Sequence, residues 1–254
     1  MLIYPGEQEP YLFAHRGCSK AAPENTLAAF DEALKRGIPG VELDIHLCAS
    51  GELVVTHDDN LKRVTGVDAL VEETDFSKIR ELDAGSWKDD RFRGERIPLL
   101  EDVFDLLGSR VYYDIEIKCR KTDETGLEQK LLTLIEQYSL EQRCVISSFN
   151  PIPIKTFKRL APDIPTAIIY CCDSELPWYL RHGEGRWIAS ADILKPEHIK
   201  INRLSMFFNH VLGRMPVIPW TVDDAETASR LVGLGVQGII SNVPAETGLT
   251  ADRR

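Results

Sequence analysis

The stretch Gly40-Val41-Glu42-Leu43-Asp44-Ile45-His46-Leu47-Cys48-Ala49-Ser50-Gly51-Glu52-Leu53-Val54-Val55-Thr56-His57 carries the first fold decision in this chain. Residues 40–44 alternate apolar and acidic side chains, so they read as a strand with Glu42 and Asp44 on one side. Residues 52–57 read as another strand. The gap between the two is about seven residues, whereas a crossover to a parallel neighbour takes roughly a dozen or more. The two strands are therefore expected to form an antiparallel hairpin whose second arm carries His57 back towards Asp44.

Outward from the hairpin, β-rich runs alternate with helical patterns. Strands are predicted at 11–15, 111–117, 144–149, 166–170, 187–191, 217–222 and 238–241, besides 40–44. Helices fit at 24–37, 99–107, 126–138, 152–160 and 225–234, with Leu27, Phe30 and Leu34 on one face of the first, Asn25 or Thr26 as its cap and Gly37 to close it. Strand-then-helix repeated in this way predicts an α/β fold, a TIM (β/α)8 barrel. The hairpin arm is counted as an excursion from the barrel top. Residues 58–98 are polar and carry no barrel element, so they are expected to be a small inserted subdomain with a short helix near 77–82, inside a single domain spanning 1–254.

The chain has 254 residues, 43% hydrophobic and 28% charged, which suits a globular protein with a substantial core. Its net charge of −10, without a dense run of Lys or Arg, speaks against nucleic acid and anionic membrane surfaces as partners. The six cysteines form no CxxC pair, so zinc is not expected and the thiols read as reduced and scattered. No apolar run approaches the roughly 20 residues of a membrane span, and no amphipathic basic helix is visible for surface docking. The first ten residues lack the features of a signal peptide. A cytoplasmic protein without a stable membrane anchor is expected; its oligomeric state is not legible.

Polar residues gather at the C-terminal ends of the predicted strands, where such barrels place their chemistry. His15 and Arg16 end the first strand, Glu42 and Asp44 the second and Glu116 and Lys118 the third, with Trp220 near the end of the seventh. Three carboxylates converging on a barrel mouth repel, so either some hold protons or a cation sits among them. An all-oxygen set suits Mg2+ or Ca2+ better than zinc, and such a cation would turn an acidic pocket into one that accepts phosphate. Glu116 also has the plainer reading of a buried salt bridge with Lys118, and Trp220 and Phe149 that of core aromatics. His46, taken to point away from Glu42 and Asp44 or merely to flank them, and His182, His198 and His210 are read as structural or exposed.

Taken in order, His15-Arg16-Gly17, Pro23-Glu24-Asn25-Thr26, Glu42-Leu43-Asp44, His57-Asp58, Leu82-Asp83-Ala84-Gly85-Ser86-Trp87, Arg96-Ile97-Pro98, Ile115-Glu116-Ile117-Lys118, Trp220-Thr221-Val222 and Gly238-Ile239-Ile240 resemble the glycerophosphodiester phosphodiesterase family across nearly the whole chain. The resemblance implies a distorted TIM barrel with a small insertion. It implies metal-dependent hydrolysis of a glycerophosphodiester to sn-glycerol 3-phosphate and an alcohol. By resemblance, His15 and His57 are the general acid and base, Glu42, Asp44 and Glu116 bind the divalent cation, and Arg16 and Lys118 lie near the phosphate. The sequence departs from the family pattern at Asp114 and Asp223, where Asn is frequent, and at Asn242, where Asp is frequent. Two other functions compete: a lysophospholipase D-like enzyme acting on monoacyl lipids, and a non-catalytic phosphate-binding barrel.

Overall fold

The computed structural model describes residues 10–119, 126–172 and 176–249. Residues 1–9, on which most of the signal-peptide reading rests, lie outside them. In chain order the elements begin β1 (Tyr11–His15), α1 (Leu27–Lys35), β2 (Gly40–Leu47), β3 (Leu53–Val55), α2 (Lys62–Thr65), α3 (Phe76–Ile79) and α4 (Leu100–Leu107). They continue with β4 (Tyr112–Ile117), α5 (Leu127–Gln137), β5 (Cys144–Ser148), α6 (Pro151–Leu160), β6 (Thr166–Tyr170) and α7 (Gly185–Ala189). The last are β7 (Ile193–Pro196), α8 (Arg203–Met206), α9 (Ala225–Gly233) and β8 (Gly238–Ser241).

Seven strands run parallel in the order β7-β6-β5-β4-β2-β1-β8, curled with helices outside as in an α/β barrel. The hairpin forms as its short connection requires. β3 pairs antiparallel with β2, with Ile45 opposite Val55, and the Thr56 amide donates to the Asp44 carbonyl at 3.0 Å. β2 runs three residues beyond the expected 40–44, as far as the hairpin turn.

Two expected strands are corrected. Residues 187–191 are not a strand: α7 occupies Gly185–Ala189, and the strand follows at Ile193–Pro196. The apolar run Trp187-Ile188 that suggested a strand is solvent-exposed on the helix. The true strand was hidden because its inward residue is Lys195, an unusual choice for a barrel interior. Residues 217–222 make only isolated parallel bridges, since Pro216 and Pro219 lack the N–H groups a ladder needs. The segment still spans the gap between β7 and β8. Ile218 and Trp220 amides donate to the Leu194 and Pro196 carbonyls at 2.9 and 3.1 Å, and the Val217 and Pro219 carbonyls accept from Gln237 and Ile240, both at 3.0 Å.

The barrel interior is layered. Tyr11, Phe13, Tyr112, Val145, Ile193 and Ile240 pack an apolar plug at the N-terminal end of the strands. Above it, Lys195 (1% exposed) pairs with Asp114 at 2.7 Å and donates to the Ser147 hydroxyl at 2.9 Å, while Ser147 donates to the other Asp114 oxygen at 2.8 Å. The carboxylates of the mouth lie beyond this layer. Residues 58–98 contribute Leu61, Val71, Ile79, Ala84 and Ile97 to a separate buried cluster with Cys48 and Val54 of the hairpin. Their helix α3 lies close to the expected position.

Among the described residues no helix is long and apolar enough to cross a membrane. α8 and its continuation to Leu212 carry an apolar stripe, interrupted in sequence by polar residues, that faces outward.

Removing one partner of a buried ion pair strands the other charge, at a cost of about 3–5 kcal/mol. We therefore expect Lys195→Met to lower unfolding stability by that amount in urea titrations. Lys195→Met/Asp114→Asn should recover most of the loss, and a single variant as stable as the native chain would contradict the pairing.

Candidate active site

β1 ends in His15, and the chain then turns sharply. Arg16 adopts a left-handed conformation (φ 56°), and Gly17 follows at φ 76°. A Cβ on Gly17 would lie 2.6 Å from the Ala29 backbone of α1, so only glycine lets the turn press against the helix. The turn aims the Arg16 amide at Glu42 Oε2, 3.0 Å away. A strained non-glycine residue at such a place is held by its surroundings. Here they are the contacts of its guanidinium, with Nε 3.3 Å from Asp44 Oδ2 and Nη1 2.9 Å from Glu24 Oε1.

The register of the sheet brings the acidic residues together, with Asp44 directly opposite Glu116 on adjacent strands. Glu42, Asp44 and Glu116 are all buried, and each offers an oxygen within 4.8 Å of the others. Lys118, one side-chain period beyond Glu116, reaches both Asp44 Oδ1 (3.0 Å) and Glu116 Oε1 (2.6 Å). The open choice between a salt bridge and a carboxylate cluster thus resolves into both at once.

The electrostatics follow from this packing. Burial and then the Asp44 charge push the Glu42 carboxyl well above the usual carboxylate range. Burial acts on Asp44 in the same direction, but Lys118 and Arg16 overrule it and hold Asp44 far below that range. Burial would discharge Lys118, yet Asp44 and Glu116 raise its ammonium above the ordinary lysine value. Three carboxylates against two cations leave one negative charge, which a proton held on Glu42 or a cation offsets. The donor set is all oxygen and buried, so it fits a hard divalent cation.

The two histidines flank this cluster. His15 Nε2 lies 3.8 Å from Glu42 Oε2, and its Nδ1 lies 2.7 Å from Asn242 Oδ1. Asp223 sets the direction of that amide, because its carboxylate accepts from Asn242 Nδ2 at 2.7 Å and from the Asn242 backbone at 2.8 Å. Asn242 Oδ1 must then face His15, so His15 Nδ1 carries the proton and Nε2 keeps its lone pair. Burial, with Arg16 adding to it, pushes His15 down to about 4, so the ring is neutral. His57 Nδ1 lies 2.6 Å from Asp58 Oδ1, which likewise leaves its Nε2 free. Asp58 accepts from Arg63, Arg63 donates twice to Glu24, and Glu24 accepts from Arg16. A chain of alternating charges therefore joins His57 to Arg16.

Three residues were undervalued by the sequence reading. Asn25, in a left-handed conformation (φ 56°), donates to Asp44 Oδ2 at 2.8 Å, so Pro23-Glu24-Asn25-Thr26 orients the site as well as starting α1. Thr26 does cap that helix, through Ala29 N. Of the two readings of His46, the one that points it away is corrected and the one that has it flank the site stands: even numbering puts it on the same side of β2 as Glu42 and Asp44, and its Nε2 lies 3.2 Å from the His57 carbonyl. Strand parity alone could have shown this. Asn242, seen in the sequence only as a departure, is the partner of His15. Trp220 stands at the rim, its ring edge-on to Phe149 (5.6 Å between centroids), with Lys118 Nζ 5.9 Å from the Phe149 centroid.

Comparison with known proteins gives one consistent result. Residues 15–246 match the model of the glycerophosphoryl diester phosphodiesterase family. A glycerophosphodiester phosphodiesterase of Caldanaerobacter subterraneus subsp. tengcongensis is 36% identical over 242 residues, covering 92% of this chain and 94% of that one. One from Bacillus altitudinis is 30% identical over 240 residues, covering 92% and 94%. Among solved structures, an Oleispira antarctica phosphodiesterase in complex with the product sn-glycerol-3-phosphate is 28% identical, with a TM-score of 0.80 over 96% of this chain and 97% of that one. A glycerophosphodiester phosphodiesterase from Agrobacterium tumefaciens is 26% identical, with a TM-score of 0.78 over 93% and 98%. With the fold, the carboxylate cluster and a match over nearly its whole length, the chain belongs to the glycerophosphoryl diester phosphodiesterase family and is an enzyme of that kind.

Proposed function

We propose that the enzyme hydrolyses glycerophosphodiesters to sn-glycerol 3-phosphate and an alcohol, using a divalent cation, Mg2+ or Ca2+, and proton transfer by His15 and His57. The observation that carries this reading is the buried triplet Glu42, Asp44 and Glu116 with two oriented histidines beside it. The Oleispira relative's complex with sn-glycerol-3-phosphate supports the product.

In this reading the three carboxylates hold the cation, which offsets the phosphodiester charge and stabilises the charge developing on its oxygens. Arg16 and Lys118 add the remaining positive charge, Arg16 through a fork of donors and Lys118 as a point charge. Neutral His15 takes the proton of the attacking hydroxyl on Nε2, and His57, entering as the imidazolium with Nδ1 held by Asp58, gives its Nε2 proton to the leaving alkoxide as the P–O bond breaks, so that His15 ends protonated and His57 neutral. The attacking group is water or the substrate's own glycerol hydroxyl. Trp220 and Phe149 line the rim against the substrate. Residues 58–98 are an insertion within one barrel domain, and they contribute Arg63 to the chain of charges behind His57.

Action on monoacyl lipids keeps a place as the second reading because Trp178, Tyr179 and Ile199 are exposed on the loops after β6 and β7, at the strand ends that carry the site. A panel of glycerophosphocholine, glycerophosphoethanolamine and lysophosphatidylcholine separates the two.

His15→Ala and His57→Ala should each lower kcat on glycerophosphodiesters by at least about a hundredfold, the range for losing an acid–base group, with thermal unfolding near that of the native chain. Undiminished turnover in either variant removes that histidine from the mechanism. EDTA should abolish hydrolysis, and Mg2+ or Ca2+ should restore it; activity persisting after exhaustive chelation would refute the metal reading. Because Glu42 is raised, a cation must displace its proton at low pH. Titration calorimetry should therefore show affinity weakening as pH falls from 7 to 5, by up to about tenfold per unit, and a pH-independent affinity would contradict it.

A further inference from the structure

Beyond Met206, α8 continues without a break into a widened helical turn, Phe207–Leu212. Leu204, Phe207, Phe208, Val211 and Leu212 recur at the spacing of one helical face. In a helix packed on a barrel such a stripe normally turns inward. Here these five residues are 46% to 65% exposed, and within the ten-residue stretch Arg203–Leu212 only Met206 is buried. The stripe does not stand alone. Arg186 of α7 donates to Asn209 at 2.8 Å and stacks on Trp187, which is 69% exposed. Lys200 donates to the Arg181 carbonyl at 2.6 Å, drawing the loop of Ile199 to that of Trp178 and Tyr179, all exposed. The His198 amide donates to the Trp220 carbonyl at 2.8 Å, so this apolar face reaches the rim of the active site.

The charge of the α8 segment differs from that of the chain. Residues 198–222 contain no Asp or Glu but carry Lys200, Arg203 and Arg214, in a protein whose net charge is −10; Glu184 and Glu197 lie at the margin of the face. Arg203 and Arg214 are exposed and bracket the stripe. Exposed aromatic and aliphatic side chains flanked by Arg and Lys are the composition of a helix lying in a lipid interface. The three cations complement anionic headgroups at such a surface. A second copy docking through the same face would set those cations against themselves.

We propose that this face, made of α7, α8 with its continuation, Trp178, Tyr179 and Ile199, docks reversibly on the surface of an anionic phospholipid bilayer. Docking holds the rim of the barrel at the lipid surface, beside the products of lipid deacylation and any monoacyl substrate. Docking and hydrolysis are measured separately, so either can fail without the other.

The test is co-sedimentation of the intact protein with vesicles of phosphatidylglycerol and phosphatidylcholine, or of phosphatidylcholine alone. We expect binding to the anionic vesicles, weakened at least about tenfold on pure phosphatidylcholine or in 0.5 M salt. Tryptophan emission should shift to the blue on binding, and the shift should diminish in Trp178→Phe. Phe207→Ser/Phe208→Ser and, independently, Arg203→Glu/Arg214→Glu should each lower vesicle affinity at least about tenfold while leaving turnover of soluble glycerophosphocholine unchanged; using both guards against one variant failing to fold. Absence of binding to anionic vesicles overturns the proposal. So does a concentration-dependent dimer in analytical ultracentrifugation that Phe207→Ser/Phe208→Ser abolishes, which would assign the face to a second copy.

Discussion

Three carboxylates buried within 4.8 Å of one another repel, and the local structure around the barrel mouth is arranged to hold them there. Lys118 joins two of them. Arg16 reaches Asp44 with its side chain and Glu42 with its backbone, at the cost of a left-handed turn that Gly17 and its contact with α1 make feasible. Asn25 supplies a further donor to Asp44 from the start of the first helix. The two carboxyls end up unlike each other: Glu42 keeps a raised carboxyl and Asp44 a strongly depressed one.

Beneath the mouth, Lys195 and Asp114 form a buried ion pair whose charges oppose each other: the ammonium lowers the Glu42 carboxyl and the Asp114 carboxylate raises it. A barrel filled entirely by aliphatic layers would leave Glu42 on an apolar floor. The departures at Asp223 and Asn242 also make sense together. The carboxylate of Asp223 lies one residue back from His15, and the amide of Asn242 passes its orientation forward, so His15 gains a fixed proton position without a charged partner.

The hairpin was legible because chain length is a hard constraint: seven residues cannot cross over to a parallel neighbour. It delivers His57 and, through the backbone carbonyl of that residue, ties down His46. The outer face around α8 was not legible. Its apolar spacing looks the same whether the stripe packs on the barrel or faces solvent, and only the fold decides which. The strand at Ile193–Pro196 was missed for a related reason. A lysine reads as a surface residue until a buried partner is known, and Asp114 lies 81 positions earlier in the chain.

By itself, then, the sequence determined the alternating strand-and-helix architecture, the hairpin, the parity that puts Glu42 with Asp44 and Glu116 with Lys118, and the family. These depend on spacing along one segment, on strand period, or on motifs kept in order. The tertiary structure alone decided that Lys195 pairs with Asp114 inside the barrel, that Asn242 is the partner of His15, and that the apolar stripe of α8 turns outward. Each of these depends on which distant segment lies alongside, which local propensity does not encode.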